Sequence, residues 1–142
     1  MARIKIELPE KFLFSTEIKV RITDLNYGGH LGNDKMLTLL HEARVDFIHY
    51  LGFEGELNIG GRGIIVTDAA VVYKSEVFHN DLLKIEVGIG DFNKYGCDLF
   101  YYVTNVGSGK EVARAKTGIA FFNYETRKIA EIPEEFIERT KQ

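Results

Sequence analysis

Cysteine and long apolar runs are scarce or absent in the sequence, and each absence excludes a class of protein. A single cysteine, Cys97, excludes an intramolecular disulfide and fits a reducing compartment. No apolar run approaches the roughly 18 residues that a membrane-spanning helix needs. The first residues, MARIKIELPEKFLF, alternate charged with apolar side chains and contain no apolar core of signal-peptide length. These scarcities predict a soluble, cytoplasmic protein.

Neither positive nor negative charge predominates in the sequence. The formal net charge is −3, and the lysines and arginines are spread along the chain without forming a basic stripe. Electrostatics therefore give no reason to expect a nucleic-acid partner. The four histidines, at positions 30, 41, 49 and 79, do not have the spacing of a zinc site, and we expect neither a metal nor a cofactor.

What is present indicates one folded domain spanning residues 1–142, since 142 residues of which 45% are hydrophobic can bury a sizeable core. The longest helical pattern covers residues 34–51, where apolar side chains occupy about half of the helix circumference. A helix so apolar must be wrapped by other structure. Strand patterns with turn residues between them occupy the ranges 16–23, 64–73, 82–92, 97–106 and 111–124, and Pro133 opens a short final helix that ends near Thr140.

Local signals refine these elements. Asn33 is a plausible N-cap of the long helix, and Asp34 suits the positive end of its dipole. Gly52, followed by Phe53, is typical of a glycine helix terminus. The segment 64–73 is nearly all apolar and β-branched, which predicts a strand covered on both faces.

The most specific pattern lies in the turn that leads into the long helix. Asp24, His30 and Asn33 form the pattern D-x5-H-x2-N, and Glu42-Ala43-Arg44 and then Leu51-Gly52 follow within the helix. The pattern resembles that of the hot-dog-fold acyl-CoA thioesterases, of the 4-hydroxybenzoyl-CoA thioesterase type. The resemblance continues more loosely through Tyr73, Gly96 and Ile132-Pro133. It implies an α+β fold in which a curled antiparallel sheet of about five strands wraps around one long central helix.

The resemblance also implies an active site. In these thioesterases the acid that matches Asp24 serves as a nucleophile, or as a base for water, in attack on the thioester carbonyl. Amides at the helix N-terminus polarise that carbonyl, because donors must be fixed where negative charge develops. The backbone at Gly29 and Leu31 is expected to contact the substrate, with the amide near Leu31 as the best-placed donor.

His30 and Asn33 complete the expected catalytic set, with plain structural alternatives as a packing residue and a helix cap. The chain departs from its relatives at Gly28 and Gly32, where many of them have asparagine. Glu42 is the alternative acid, because other hot-dog thioesterases take their carboxylate from the central helix. Its position on the polar face of the helix favours a solvated role.

Three other positions have structural interpretations. Arg44 lies inside the apolar arc of the helix, where a guanidinium must be paired, and Asp68 is an acid inside an apolar strand. We expect these two residues to pair with each other. Cys97 is interpreted as a small buried residue rather than a nucleophile.

The expected substrate is an acyl-CoA or the corresponding acyl carrier protein ester, with the phosphates of CoA resting on surface cations such as Arg62, Lys94 and Arg127. The resemblance implies a homodimer or homotetramer with active sites between subunits. Two alternatives remain at this stage. A non-catalytic acyl-CoA-binding or regulatory module would keep the pocket without turnover. A hydratase is disfavoured, because those enzymes resemble D-x-N-P-x-H, with histidine five rather than six residues after the acid.

Overall fold

The computed structural model of the protein describes residues 3–141. Its elements, in chain order, are one edge strand, a single 3-10 turn, a long helix, four longer strands, a two-residue strand and a short helix. They are β1 (Phe14–Lys19), the 3-10 turn (Ile22–Asp24), α1 (Asn33–Tyr50), β2 (Gly63–Tyr73), β3 (Leu82–Gly90), β4 (Gly96–Asn105), β5 (Glu111–Asn123), β6 (Lys128–Ile129) and α2 (Glu134–Thr140).

The strands form one antiparallel sheet in the order β1-β3-β4-β5-β2, with β6 added to β5. Each predicted strand is present, and the sheet packs around α1, so the predicted α+β hot-dog architecture is confirmed. The two-residue β6 was not predicted. The first strand ends at Lys19, earlier than predicted, because the chain closes into the 3-10 turn before Asp24.

The long helix begins and ends at glycines. Its N-cap is Gly32, with φ −70° and ψ 147°, and Asn33 is the first helical residue, so the predicted Asn33 cap is wrong. A Cβ on Gly32 would lie 2.8 Å from Asp34 Oδ1, so glycine leaves room for the Asp34 carboxylate in the first turn. At the other end Gly52 has a φ of +95°, and the Phe53 amide donates to the Ile48 carbonyl at 3.2 Å. This is the glycine terminus that the sequence predicts.

The core lies between the buried face of α1 and the concave face of the sheet. Met36, Leu40 and Phe47 of the helix are at most 1% exposed. The C-terminal helix α2 closes one end, where the ring of Phe136 packs edge-on against Phe121 at 5.2 Å between centroids. A further group of buried strand residues completes the core: Leu83, Ile85, Val87, Leu99, Val103, Val112 and Ile119.

The apolar sequence of β2 predicted a strand covered on both faces, and this prediction is wrong. It is an edge strand, and Val66, Thr67, Asp68 and Ala69 in its middle are exposed. A β-bulge between Val66 and Asp68 interrupts its pairing with β5.

Cys97 is buried at the start of β4, as predicted, and burial raises the pKa of its thiol to about 12. A thiol with such a pKa is protonated at neutral pH and is a poor nucleophile. Within residues 3–141, no helix is both long and apolar enough to cross a membrane.

Candidate active site

Asp24 lies at the end of the 3-10 turn and is 1% exposed. Its carboxylate accepts three hydrogen bonds from one residue, Arg21. The Arg21 amide and Nε donate to Oδ2 at 2.9 and 3.2 Å, and one terminal guanidinium nitrogen donates to Oδ1 at 3.1 Å. Burial of the carboxylate opposes its ionisation, but the Arg21 hydrogen bonds and charge outweigh burial and hold the pKa of Asp24 below its usual range. Asp24 is therefore ionised and buried, and the hydrogen bonds from Arg21 hold its carboxylate in place. These three hydrogen bonds form the Arg21 clamp.

The segment after Asp24 folds back on itself as a glycine turn. The Asn26 amide donates to the His30 carbonyl at 2.8 Å, and the Gly29 amide returns to the Asn26 carbonyl at 3.0 Å. Gly29 has a φ of +80°, a conformation that L side chains rarely adopt. A Cβ on Gly28 would lie 3.2 Å from Asn26 Oδ1 and 3.3 Å from His30 Nε2. The glycines thus bring the His30 ring close to the turn backbone.

A cavity of about 260 Å³ opens between this turn, the first turn of α1 and the connection from β2 to β3. His30, Leu31 and Asn33 line it, whereas Asp24 does not. The Tyr73 hydroxyl, at the end of β2, donates to the Asn33 carbonyl at 2.7 Å and ties the helix N-terminus to the sheet. The remaining lining residues are Met36, Lys74, Ser75, Glu76, Val77 and Val112.

The amide expected to polarise a carbonyl is already occupied. The Leu31 amide donates to the Val77 carbonyl at 2.8 Å, because residues 30 and 78 pair as an isolated β-bridge, so this expectation is corrected. The Gly32 amide is also used, by the Asp24 carbonyl at 3.1 Å. Among residues 3–141, no acceptor is hydrogen-bonded to the amides of Asn33 and Asp34. These two amides are the free donors of the helix N-terminus.

Glu42 lies on the exposed face of α1, and its charge acts on Arg21. Glu42 is therefore close enough to Arg21 for its charge to add to the hydrogen bond and charge of Asp24, which are the main causes that raise the pKa of Arg21. It does not line the cavity beside His30.

Arg44 does not pair with Asp68. Its Nε donates to Glu56 Oε2 at 2.5 Å, and Glu56 also meets His41 Nε2 at 2.7 Å. Asp68 instead pairs with Lys116 on the opposite face of the sheet, at 2.8 Å. Both residues are paired, as expected, but each with a different partner.

The cations chosen for CoA phosphates are not at the cavity. Arg62 Nη1 donates to the Gly61 carbonyl, and Arg127 lies over the ring of Phe122. Lys94 pairs with Glu131 at 3.4 Å. Lys74 is the cation that lines the cavity, and its place directly after Tyr73 at a strand end is the only sequence signal that marked it.

A larger cavity, of about 670 Å³, lies elsewhere, between the N-terminal segment and the outer face of the sheet. Ile6, Pro9, Phe100 and Lys116 are among its walls. None of the predicted catalytic residues lines it, so size alone does not identify the site. Within residues 3–141, no group of three histidine, cysteine or acidic side chains is placed to hold a metal ion.

Comparisons with known proteins agree with this architecture. The family model of the thioesterase-like superfamily matches residues 20–140. No curated protein sequence matches the chain.

Solved structures resemble the whole fold. A 1,4-dihydroxy-2-naphthoyl-CoA thioesterase from Synechocystis superposes with a TM-score of 0.79 at 19% identity, covering 89% of this chain and 94% of that one. A protein from Aquifex aeolicus gives 0.81 at 21% identity, covering 91% and 100%. A probable thioesterase from Escherichia coli gives 0.73 at 25% identity, covering 88% and 94%.

Proposed function

The chain belongs to the thioesterase-like superfamily, and from this premise we propose that it hydrolyses the thioester of an acyl-CoA or acyl carrier protein to a free acid and a thiol. The observation that carries the proposal is the open N-terminus of α1 beside a cavity. Two unoccupied amides, a histidine and the end of a helix dipole meet there.

The amides of Asn33 and Asp34 are the proposed donors to the thioester oxygen. That oxygen gains negative charge when the carbonyl is attacked, and fixed donors at a helix N-terminus stabilise such charge without reorganising. The Tyr73 hydroxyl supports them indirectly, because its bond to the Asn33 carbonyl holds the first turn of the helix against β2. His30, on the cavity wall, is within the same site.

Asp24 is the proposed nucleophile or base, and its ionised state suits either role. The clamp imposes a condition: the Arg21 side chain must move before substrate or water reaches the carboxylate. Arg21 is free to do so, since 64% of its side chain is exposed. We further propose that the catalytic unit is a homodimer or homotetramer, because the unpaired edge of β2 can join a second sheet and bring a partner toward α1.

A second candidate function is a non-catalytic acyl-CoA-binding module. The enclosure of Asp24 favours it, because a carboxylate that is 1% exposed and held by three hydrogen bonds can serve structure alone. The Synechocystis neighbour is named as a CoA thioesterase, which supports acyl-CoA esters as the first compounds to assay for either function.

The deciding experiment measures free thiol release from a panel of acyl-CoA esters, with calorimetric binding of the same esters. Asp24→Asn keeps the size of the side chain but removes the basic oxygen, so turnover should fall at least ~100-fold while acyl-CoA binding survives. Asp68→Asn, which changes an exposed acid on the outer face, is the matched control and should retain turnover.

Glu42→Gln in parallel tests the helix carboxylate. A larger loss in Glu42→Gln than in Asp24→Asn would move the catalytic acid onto α1. A parent protein that binds acyl-CoA but releases no thiol from any ester would establish the binding module instead.

A further inference from the structure

A third pocket, of about 300 Å³, lies further along α1, between that helix and the inner face of the sheet near β2. Its walls combine apolar side chains with the polar side chains of Arg44, Thr117 and His41. The other lining residues are Leu37, Thr38, Val66 and Ala69. Neither the proposed hydrolysis nor the core packing uses this pocket.

The guanidinium of Arg44 has hydrogen-bonding capacity to spare. Arg44 is only 7% exposed, and its Nε donates to Glu56 while Nη1 approaches the Tyr101 hydroxyl at 3.5 Å. A guanidinium offers five donors, and these two bonds leave Nη2 without a protein acceptor among residues 3–141. In the part of the chain that the structure describes, every fully buried side-chain nitrogen or oxygen has a hydrogen-bond partner. Because Nη2 has no such partner, it is not fully buried. Arg44 is also one of the residues that line the pocket.

The floor of the pocket is a prearranged polar network. The hydroxyls of Tyr101 and Thr117 are 2.8 Å apart, and Thr117 is buried at the pocket wall. The planar guanidinium of an arginine binds carboxylates well when packing already fixes its position. Little side-chain entropy is then lost on binding.

The pocket lies within reach of the proposed thioester site. Thr38 is five residues after Asn33, roughly 7.5 Å along the helix, and Arg44 is roughly 16 Å along it. Ala69 precedes Tyr73 by four residues of β2, roughly 13 Å. The same two elements, α1 and β2, therefore border both cavities.

We propose that this pocket binds a carboxylate at the far end of the acyl group, so that the substrates are acyl-CoA esters with a terminal carboxylate. The inference rests on the proposed thioester site at the N-terminus of α1. Arg44 Nη2 donates to the carboxylate, the Thr117 hydroxyl lies beside it, and Leu37, Val66 and Ala69 contact the apolar part of the chain.

The test compares matched esters that differ only in the terminal carboxylate: glutaryl-CoA with pentanoyl-CoA, and suberoyl-CoA with octanoyl-CoA. In at least one pair, kcat/KM should favour the carboxylate by about tenfold or more, as expected for a hydrogen bond to a charged group. Arg44→Met and the nearly isosteric Thr117→Val should each lower that ratio toward one. Thr104→Val, on the same sheet but outside the pocket, is the matched control and should keep the parent's ratio.

Calorimetry with the same esters separates this inference from the proposed function. If no ester is hydrolysed but suberoyl-CoA or glutaryl-CoA still binds about tenfold more tightly than its partner, the pocket assignment holds without catalysis. Equal kcat/KM and equal affinity within both pairs would overturn the assignment and leave any measured hydrolysis standing. If Arg44→Met does not fold, Thr117→Val decides, since an unchanged ratio in that variant also overturns it.

Discussion

Truncation of Arg44 gives the most informative test of the packing of this fold. Arg44→Ala removes the bond to Glu56 and leaves that carboxylate, whose side chain is 21% exposed, without its main partner. Breaking a buried ion pair costs roughly 3–5 kcal/mol. Because Glu56 is partly solvated and keeps His41, we expect a lower loss of about 2–4 kcal/mol. For a chain of this length the melting temperature should fall by roughly 5–15 °C.

The measurement is urea unfolding at one fixed protein concentration, since any association would make stability concentration-dependent. Arg114→Ala is the matched control, because Arg114 also pairs with a glutamate, Glu111, at 2.6 Å, but is 38% exposed. That variant should lose much less stability than Arg44→Ala, because an exposed ion pair contributes little. Replacing both partners of the ion pair, in Arg44→Met with Glu56→Leu, should cost less than Arg44→Ala alone. Equal losses in Arg44→Ala and Arg114→Ala would refute the reasoning.

The pH dependence of stability gives an independent reading of the same pair. Burial opposes ionisation of Glu56, but Arg44 and His41 outweigh it and lower the pKa of this carboxyl. A lowered pKa means that the pair stabilises the fold above the ordinary glutamate value of about 4.3, and that this stability is lost as pH falls through the lowered pKa. Arg44→Ala should therefore lose less stability on acidification than the parent.

Three further outcomes follow from the backbone and the surface. Gly96→Ala should destabilise the fold by several kcal/mol in the same urea assay, because its Cβ would lie 1.9 Å from the Ile119 carbonyl oxygen. Gly107→Ala is the control and should cost less than about 1 kcal/mol, because its Cβ would make only an ordinary contact at 3.5 Å. Asp68→Asn should change the melting temperature by only a few degrees, since its pair with Lys116 is exposed. Light scattering at micromolar concentration should give a dimer or tetramer that Val66→Lys weakens, and a stable parent monomer would contradict a shared site.

The helix and the strands were predictable because their signals are local. The apolar period of α1 ends at Gly52, and the turn residues between β2 and β5 mark each reversal of the chain. The N-cap was misplaced by one residue, since Gly32 takes the extended conformation that asparagine also favours. The exposure of β2 could not be read from its composition, because an apolar strand looks the same whether a helix or another subunit covers it.

The partner of Arg44 was beyond the reach of pattern analysis for two physical reasons. Residues alternate along an undisturbed strand, which would place Asp68 on the same face as Val66, toward the helix. The bulge between them adds a residue and turns Asp68 to the outer face. The true partner, Glu56, lies in a glycine-rich loop without periodicity.

The candidate site also combines features that local sequence patterns predict with features that depend on distant contacts. The spacing in the turn predicted Asp24, His30 and Asn33 as site residues, and of these His30 and Asn33 line the cavity while Asp24 does not. Which backbone amides stay unoccupied depends on the bridge between residues 30 and 78, a contact between segments far apart in sequence that no local signal encodes. The clamp on Asp24 by Arg21 involves residues three positions apart, and it follows from the 3-10 turn rather than from a helix or strand period.

The order of strands in the sheet has a consequence for synthesis. β2 is synthesised well before its partner, because among residues 3–141 it pairs only with β5, which ends at Asn123, 50 residues after Tyr73. At typical translation speeds, a nascent chain waits roughly 3–10 s before that partner has been synthesised. During this interval an apolar, β-branched segment is unpaired and prone to aggregate. Synonymous codons that slow the ribosome between β2 and β5 should therefore lower the yield of native protein.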